Sequence, residues 1–436
     1  MNKVVVAGVL LFSLPLLPTT AFANRIVIDE MRKLKASLPV NDPARGEITL
    51  RLADRLADEY LVAKDKPESK SEKDRLEAIA LYQESLASRN GESKIKIQFQ
   101  MARLFAEKAG DATAMNNAKN LFEQVRANSQ VKELKRESIL RLAEIAESSP
   151  KTSAAAVGYY REALALCEGT DSCSFSHYRL GWIERNSEKL PAAIDEMKLA
   201  LWDSKGQLRE EAIRDLVSFM GLSASQVDQS IPYLDQLATK VNRPALLNDL
   251  AYAYFSSGNK AAGVKVLSLT HSRAPTIYGE MRLMEEYYGL RQWDQFRAVL
   301  SEFNTSVHAP VAAELKDAVE IEKIGRRLAT QLDGERTSDP TRFEDFKQFT
   351  LSYLDLFPRS QERAKIMEGL IAAEPNPVLK LSQLKTWLSD AKFALSANDE
   401  LKLRELRAAI AQKLADKDPT FNSAVIEEMG SLIAKG

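Results

Sequence analysis

One short pattern returns seven times along this 436-residue chain and restricts its fold more than any other feature. A large apolar residue is followed by a small or apolar one, and usually by another apolar residue three positions later. The instances are Leu56-Ala57…Tyr60, Met101-Ala102…Phe105, Leu142-Ala143…Ala146 and Leu180-Gly181, then Leu216-Val217…Met220, Leu250-Ala251…Tyr254 and Leu283-Met284…Tyr287. The second members stand at 57, 102, 143, 181, 217, 251 and 284, so the spacing shortens from 45 to 33 residues. Around each instance the apolar residues keep helical period: Ile48, Leu52, Leu56 and Tyr60 share one face, and Ile79, Tyr82 and Leu86 share a face of the helix that follows. The following helices carry Ala118…Phe122, Ala156…Tyr160…Ala163 and Ala193…Met197…Ala200, a small residue for close approach and a large one four positions on to fill the groove. With 28% charged residues and only 18 Gly and 16 Pro, amphipathic helices are expected rather than a β-sandwich. A helix pair that recurs at this period buries its apolar faces by stacking on its neighbours, which favours one elongated array over two or three globular domains.

In the sixth unit Leu250, Ala251, Tyr254, Gly258 and Pro275 fall at the spacing of the tetratricopeptide pattern, with Gly263 where its second alanine belongs. Over about residues 45–300 the chain resembles the tetratricopeptide-repeat family, degenerate in any one unit and specific through its return. The resemblance implies an all-α fold, a right-handed α-solenoid of helical hairpins whose first helices line a concave, partner-binding face. Carried over position by position, it puts Phe175, Tyr178, Trp182 and Arg185 on that face in the fourth unit, and Ala245, Asn248, Tyr252 and Phe255 in the sixth. In "MEEYYGLRQW" Tyr287 is expected in the core and Tyr288 on the binding face. Aromatics beside Arg are the side chains that dominate interface hot spots. Each of these rings has packing between hairpins as its competing role, favoured for Tyr252 and evenly balanced for Trp182.

The array is expected over 48–304, after an N-terminal helix and Pro-broken connection at 24–47. The early units are long; "KDKPESKSEKDR", residues 64–75, is charged, lacks apolar periodicity and reads as a solvated loop. From 305 to 436 the consensus fades while helical spacing persists. A helix over 309–332 opens at Pro310, "GERTSDPTRF" at 334–343 reads as a break, and 343–357 resumes until Pro358. Four further helices follow over 359–374, 377–397, 399–416 and 420–435. They are expected to be non-consensus hairpins that continue and cap the solenoid, with a separate helical domain as the alternative.

Residues 1–23 read as a cleaved secretory signal: Lys3, an apolar run from Val4 to Leu17, then Ala21-Phe22-Ala23 before Asn24. The run is short for a membrane span of about 20 residues, so a periplasmic or secreted protein without stable membrane insertion is expected. Without Lys3 the chain has 59 basic against 61 acidic residues, a balance that gives no broad attraction to nucleic acid.

Cys167 and Cys173 flank Glu-Gly-Thr-Asp-Ser, a sequence with turn chemistry. In an exported protein a disulfide is the expected state, worth about 2–2.5 kcal/mol for so short a loop. Free thiols, or zinc held by Cys167, Cys173, His177 and Asp171, are the competing readings, the cysteine spacing being long for a zinc pair. In the family pattern His177 takes the place of a large aromatic, which implies a packed imidazole. No catalytic residues, metal site or cofactor are expected. His177, His271 and His308 lie far apart and outside metal motifs, and no nucleophile elbow, phosphate loop or dinucleotide fingerprint is present. Some exported lytic transglycosylases carry a helical solenoid; this chain has five Glu-Ser pairs (at 68, 84, 92, 137 and 147) but no Gly-Leu-Met-Gln partner motif. The expected function is a non-enzymatic envelope scaffold holding a protein or peptide segment. Peptidoglycan binding or recruitment of a wall hydrolase is the alternative, and self-association through the C-terminal helices a further possibility.

Overall fold

The computed structural model describes residues 19–62, 72–108, 110–148, 152–167, 171–202, 204–307, 317–393 and 395–435. Among them are twenty-one α-helices and no strand. After α1 (Thr19–Ser37) the helices alternate as first and second members of hairpins. The hairpins begin with α2 (Pro43–Val62) and α3 (Glu72–Leu86), α4 (Gly91–Ala106) and α5 (Ala112–Asn128), and α6 (Lys132–Glu147) and α7 (Ser153–Ala165). They continue with α8 (Asp171–Asn186) and α9 (Leu190–Ala200), α12 (Leu246–Ser256) and α13 (Lys260–Arg273), and α14 (Ile277–Gly289) and α15 (Trp293–Ser306), with α10 (Gly206–Gly221) and α11 (Val227–Lys240) following α9 in the chain. The chain divides into two compact units, 1–216 and 217–436, at a boundary inside α10.

All seven residues at the repeated small position are buried: Ala57, Ala102, Ala143, Gly181, Val217, Ala251 and Met284. The alanines of the second helices, Ala118, Ala156 and Ala193, are completely buried, as are Phe122, Tyr160 and Met197 four positions on. Close approach is why small residues stand there: a β-carbon on Gly181 comes within 3.3 Å of the Ala193 carbonyl oxygen and 3.1 Å of the Met197 side chain. At Gly263 the missing methyl is replaced from outside, because the Phe255 ring lies 2.5 Å from where a β-carbon belongs.

The turns repeat as well. The amide of Lys189 bonds the Glu184 carbonyl, that of Asn259 bonds Tyr254, and that of Gln292 bonds Tyr287, each at 2.9 Å and five residues apart. The residue before each donor is left-handed: Glu188 at φ 62°, Gly258 at 81° and Arg291 at 58°. This is the Schellman termination of a helix, which only Gly258 makes without β-carbon strain. α5 starts on a side-chain cap, Asp111 accepting from the amides of Thr113 and Ala114.

Three expectations need correction at their edges. The charged loop ends earlier than residue 75, since α3 begins at Glu72 and both Asp74 and Arg75 are buried. Arg75 donates from Nη1 to the Leu104 carbonyl at 3.0 Å and pairs with Glu72, so it ties one hairpin to the next. The remainder of that segment, 63–71, lies outside the described residues. The first hairpin begins at Pro43 rather than 48. The break at 334–343 is narrower, because α16 (Ala318–Ser338) runs through Gly334, and a short 3₁₀ turn at Pro340–Arg342 leads directly into α17 (Phe343–Leu356). Pro310 and the start of the long helix expected there lie outside the described residues.

α1 packs on the first hairpin. Ile28 is buried in its core, and Arg25 and Arg32 reach Asp74 and Glu77 on α3, both at 2.6 Å. Ala23 and Asn24, the expected cleavage site, fall within α1 and precede these contacts, while residues 1–18 lie outside the described ones. In the second unit α16 packs on α14 and α17 on α15, first helix on first and second on second, so stacking continues past the consensus repeats. The later helices are α18 (Arg363–Ala373), α19 (Pro377–Ser389), α20 (Ala397–Ala415) and α21 (Asn422–Lys435); the helix expected over 377–397 stops at Ser389, before a 3₁₀ turn at Ala391–Phe393, and the other three lie close to the spans expected. Among the described residues no helix is long and apolar enough to cross a membrane.

Candidate functional site

The residues expected on the binding face separate into two groups. Tyr178 and Trp182 stand one turn apart on α8, and both donate to the same carboxylate oxygen of Asp215 on α10. The distances are 2.7 Å from the Tyr178 hydroxyl and 3.1 Å from the Trp182 indole nitrogen, and both rings stay half-buried. Burial first, and then the bond to Asp215, raises the Tyr178 phenol above its ordinary value, so it remains a donor at neutral pH. Arg185, three residues beyond Trp182, is exposed. The result is an aromatic ledge between two first helices, fixed by one carboxylate and flanked by a cation.

Phe175 and Phe255 take packing positions. Phe175 meets the buried Tyr160 edge-on with centroids 6.4 Å apart, and Phe255 lies between Gly263 and the guanidinium of Arg282, 4.7 Å above its ring. Tyr252 meets Tyr278 edge-on at 5.8 Å, and burial pushes its phenol strongly up. Asn248, one turn before Tyr252, is half-buried, and Ala245 caps α12. Tyr287 is buried as expected. Tyr288 is engaged locally: its hydroxyl donates to Glu335 at 3.2 Å and to the Gln331 carbonyl at 3.3 Å, and its ring meets Trp293 at 5.6 Å. The guanidinium of Arg342 covers the Trp293 ring at 4.0 Å.

Cys167 follows α7 and Cys173 lies in the first turn of α8, both half-buried, while residues 168–170 between them lie outside the described ones. His177 is not packed in the hairpin core: its Nδ1 lies 2.7 Å from Glu196 of α9, with both side chains partly exposed. The aromatic position is therefore filled by an imidazole that meets a carboxylate at the hairpin's edge.

Sequence reasoning missed three features. Asp215 gave no signal, because its partners lie 33 and 37 residues away and meet it only when hairpins stack. A cleft of about 460 Å³ in the first unit, lined by Leu61, Arg103, Phe122, Arg141 and Ile145, arises between consecutive hairpins and is invisible in any one. His271, set aside for lack of a local motif, is brought beside Glu280 and Glu302.

No protein-family model and no curated protein matches the chain. Similar solved structures include the tetratricopeptide domain of P58(IPK), 14% identical, covering 78% of this chain and 98% of that one with a TM-score of 0.24. A chain of Naa15/Naa10 bound to HypK-THB is 14% identical, covers 95% and 66%, and has a TM-score of 0.29. A signal-transduction ATPase with a tetratricopeptide repeat sensor from Pyrococcus horikoshii is 11% identical, covers 91% and 53%, and has a TM-score of 0.26. The buried small positions and the recurrent left-handed helix ends of the chain itself decide the architecture. These are tetratricopeptide-like hairpins. On them the Tyr178–Trp182–Asp215 ledge occupies adjacent first helices.

Proposed function

We propose that the chain is a non-enzymatic scaffold that holds a peptide segment or protein partner against its first helices, in an exported, cell-envelope setting. The observation that carries this reading is the ledge on α8 and α10. Two half-buried rings held by Asp215, with exposed Arg185 beside them, lose little freedom when a partner covers them. The envelope setting rests on the leader-like residues 1–23 and on nothing in the fold. Aromatic faces also suit a sugar ring, and the second reading is a wall-associated protein that binds peptidoglycan or recruits a wall hydrolase. Self-association has its own support in α21, where Ile426, Met429 and Ile433 form an exposed apolar stripe.

Sedimentation with purified peptidoglycan separates the first two readings. The scaffold is expected to stay in the supernatant at every glycan concentration. Saturable pelleting that disappears in Trp182→Ala transfers the ledge to the wall-binding reading.

A Cys167–Cys173 disulfide belongs to the same proposal. Intact mass of the exported chain should show a start at Asn24 and two alkyl groups added only after reduction. Full alkylation without reductant rules out the disulfide, and a retained leader rules out the cleavage site.

A further inference from the structure

We propose that His271, Glu280 and Glu302 form a binding site for a borderline divalent cation of the Zn²⁺ kind, clamping the end of α13 to α14 and α15. Each residue offers one ligand atom, and these atoms lie within 4.8 Å of one another. His271 comes from the last turn of α13, Glu280 from the first turn of α14, and Glu302 from α15. Such a bond therefore joins the second helix of one hairpin to both helices of the next.

Burial and unmet bonding distinguish this cluster from an ordinary surface group of acids. His271 is 8% exposed and Glu280 only 1%. The Nδ1 of His271 and the Oε2 of Glu280 are both buried without a hydrogen-bond partner. A buried carboxylate oxygen left unpaired is costly, and one cation shared among the three side chains removes the cost at Glu280. The surroundings orient the ligands. Ser306 donates to the other Glu280 oxygen at 2.7 Å, the sort of outer contact that fixes a ligating carboxylate. Thr276 caps α14 by accepting from the Gly279 amide at 3.0 Å, which sets the first turn carrying Glu280. A β-carbon at Gly279 would stand 3.0 Å from the Thr276 hydroxyl and 3.4 Å from His271 Nδ1, so glycine keeps this corner open.

The donor set selects the ion. One imidazole with two carboxylates suits zinc-like cations, whereas magnesium and calcium prefer six or more oxygens. His271 presents Nε2 as its one ligand atom, which now lies 2.8 Å from Glu302 Oε2 in a hydrogen bond. Two ligands on one tetrahedral zinc stand about 3.3 Å apart, so the rim needs to open by only about half an ångström. Glu302 has its side chain 56% exposed, which gives the ion a way in and leaves a fourth position facing water. Without an ion the same residues keep the His271–Glu302 hydrogen bond, and the two states are separable by experiment.

The test is calorimetric titration of Zn²⁺ into the full chain stripped with a chelator, followed by X-ray absorption at the zinc edge. One equivalent is expected, with a first shell of nitrogen and oxygen only. Glu302→Gln, at the exposed rim, is expected to fold normally and weaken binding at least about tenfold, since even outer-shell losses cost that much. His271→Gln should abolish the site, while His177→Ala leaves it intact. Sulfur in the first shell, loss of binding in His177→Ala, or an affinity unchanged in Glu302→Gln each overturns the proposal.

Discussion

Replacing Glu428 with alanine is expected to release α21 from α20, with a loss of about 3–5 kcal/mol in the docking of that helix. Arg407 is 4% exposed and Glu428 1%, so their ion pair is sealed between the two helices. Arg404 adds a second bond to Glu428 at 3.2 Å, and Glu427 meets Arg407 at 3.1 Å from a half-exposed position. A buried pair of this kind contributes little net stability against an apolar replacement, but removing one partner strands the other's charge. In Glu428→Ala the Arg407 guanidinium keeps only Glu427. Because Arg407 regains water when α21 lifts away, the cost is read as local opening rather than global unfolding. Amide exchange in α21 should accelerate by about two to nearly four orders of magnitude at constant signal elsewhere. Glu427→Ala removes an exposed partner and is expected to cost less than about 1 kcal/mol. Equal effects from the two variants would show that burial does not govern this pair.

The second large effect is expected at Phe349 of α17. Its ring is completely buried and stacks on Phe303 of α15 at 6.0 Å and on Tyr353 at 6.3 Å. Tyr353 in turn lies against the bare α-carbon of Gly325, where a β-carbon would come within 2.6 Å of its ring. This aromatic column is what lets α16 and α17 continue the stack after the consensus has faded. Phe349→Ala is expected to destabilise the second unit by about 3–5 kcal/mol through lost burial and an unfilled cavity. Gln348→Ala, on the exposed face one residue away, should stay within about 0.5 kcal/mol of wild type. Denaturant unfolding followed by near-ultraviolet absorption and exchange in α16 and α17 reads the difference. Similar values for the two variants would mean that α16 and α17 are not held by this column.

What the sequence made legible follows the range of the interactions involved. The small residues of the first helices and the alanine–aromatic pairs of the second are set by packing within one hairpin, and every one named is buried. The charged segment before α3 misled because its last residues face a neighbouring hairpin: Arg75 satisfies Leu104, which no local pattern announces. Gly334 and Pro340 read as one wide break, yet the helix carries Gly334 through open space at the usual cost of about 1 kcal/mol and ends only at Ser338. The first-helix positions of these side chains were legible, and their contacts were not. The position-by-position resemblance put Tyr178, Trp182, Phe175 and Phe255 on one face alike, and only stacking shows that the first two meet Asp215 while the others fill space. The cluster at His271 was illegible for the same reason, since its members lie on three helices and no two share a helical turn.

Site-specific photo-crosslinking in living cells tests the central claim, that the first-helix face around Trp182 holds a partner. A photoreactive residue at position 182 is compared with one at Asp195, exposed on the second helix of the same hairpin. The account predicts a discrete protein adduct from position 182 and none from 195. With both variants folded and exported, no adduct from 182, or the same adduct from both positions, would contradict it.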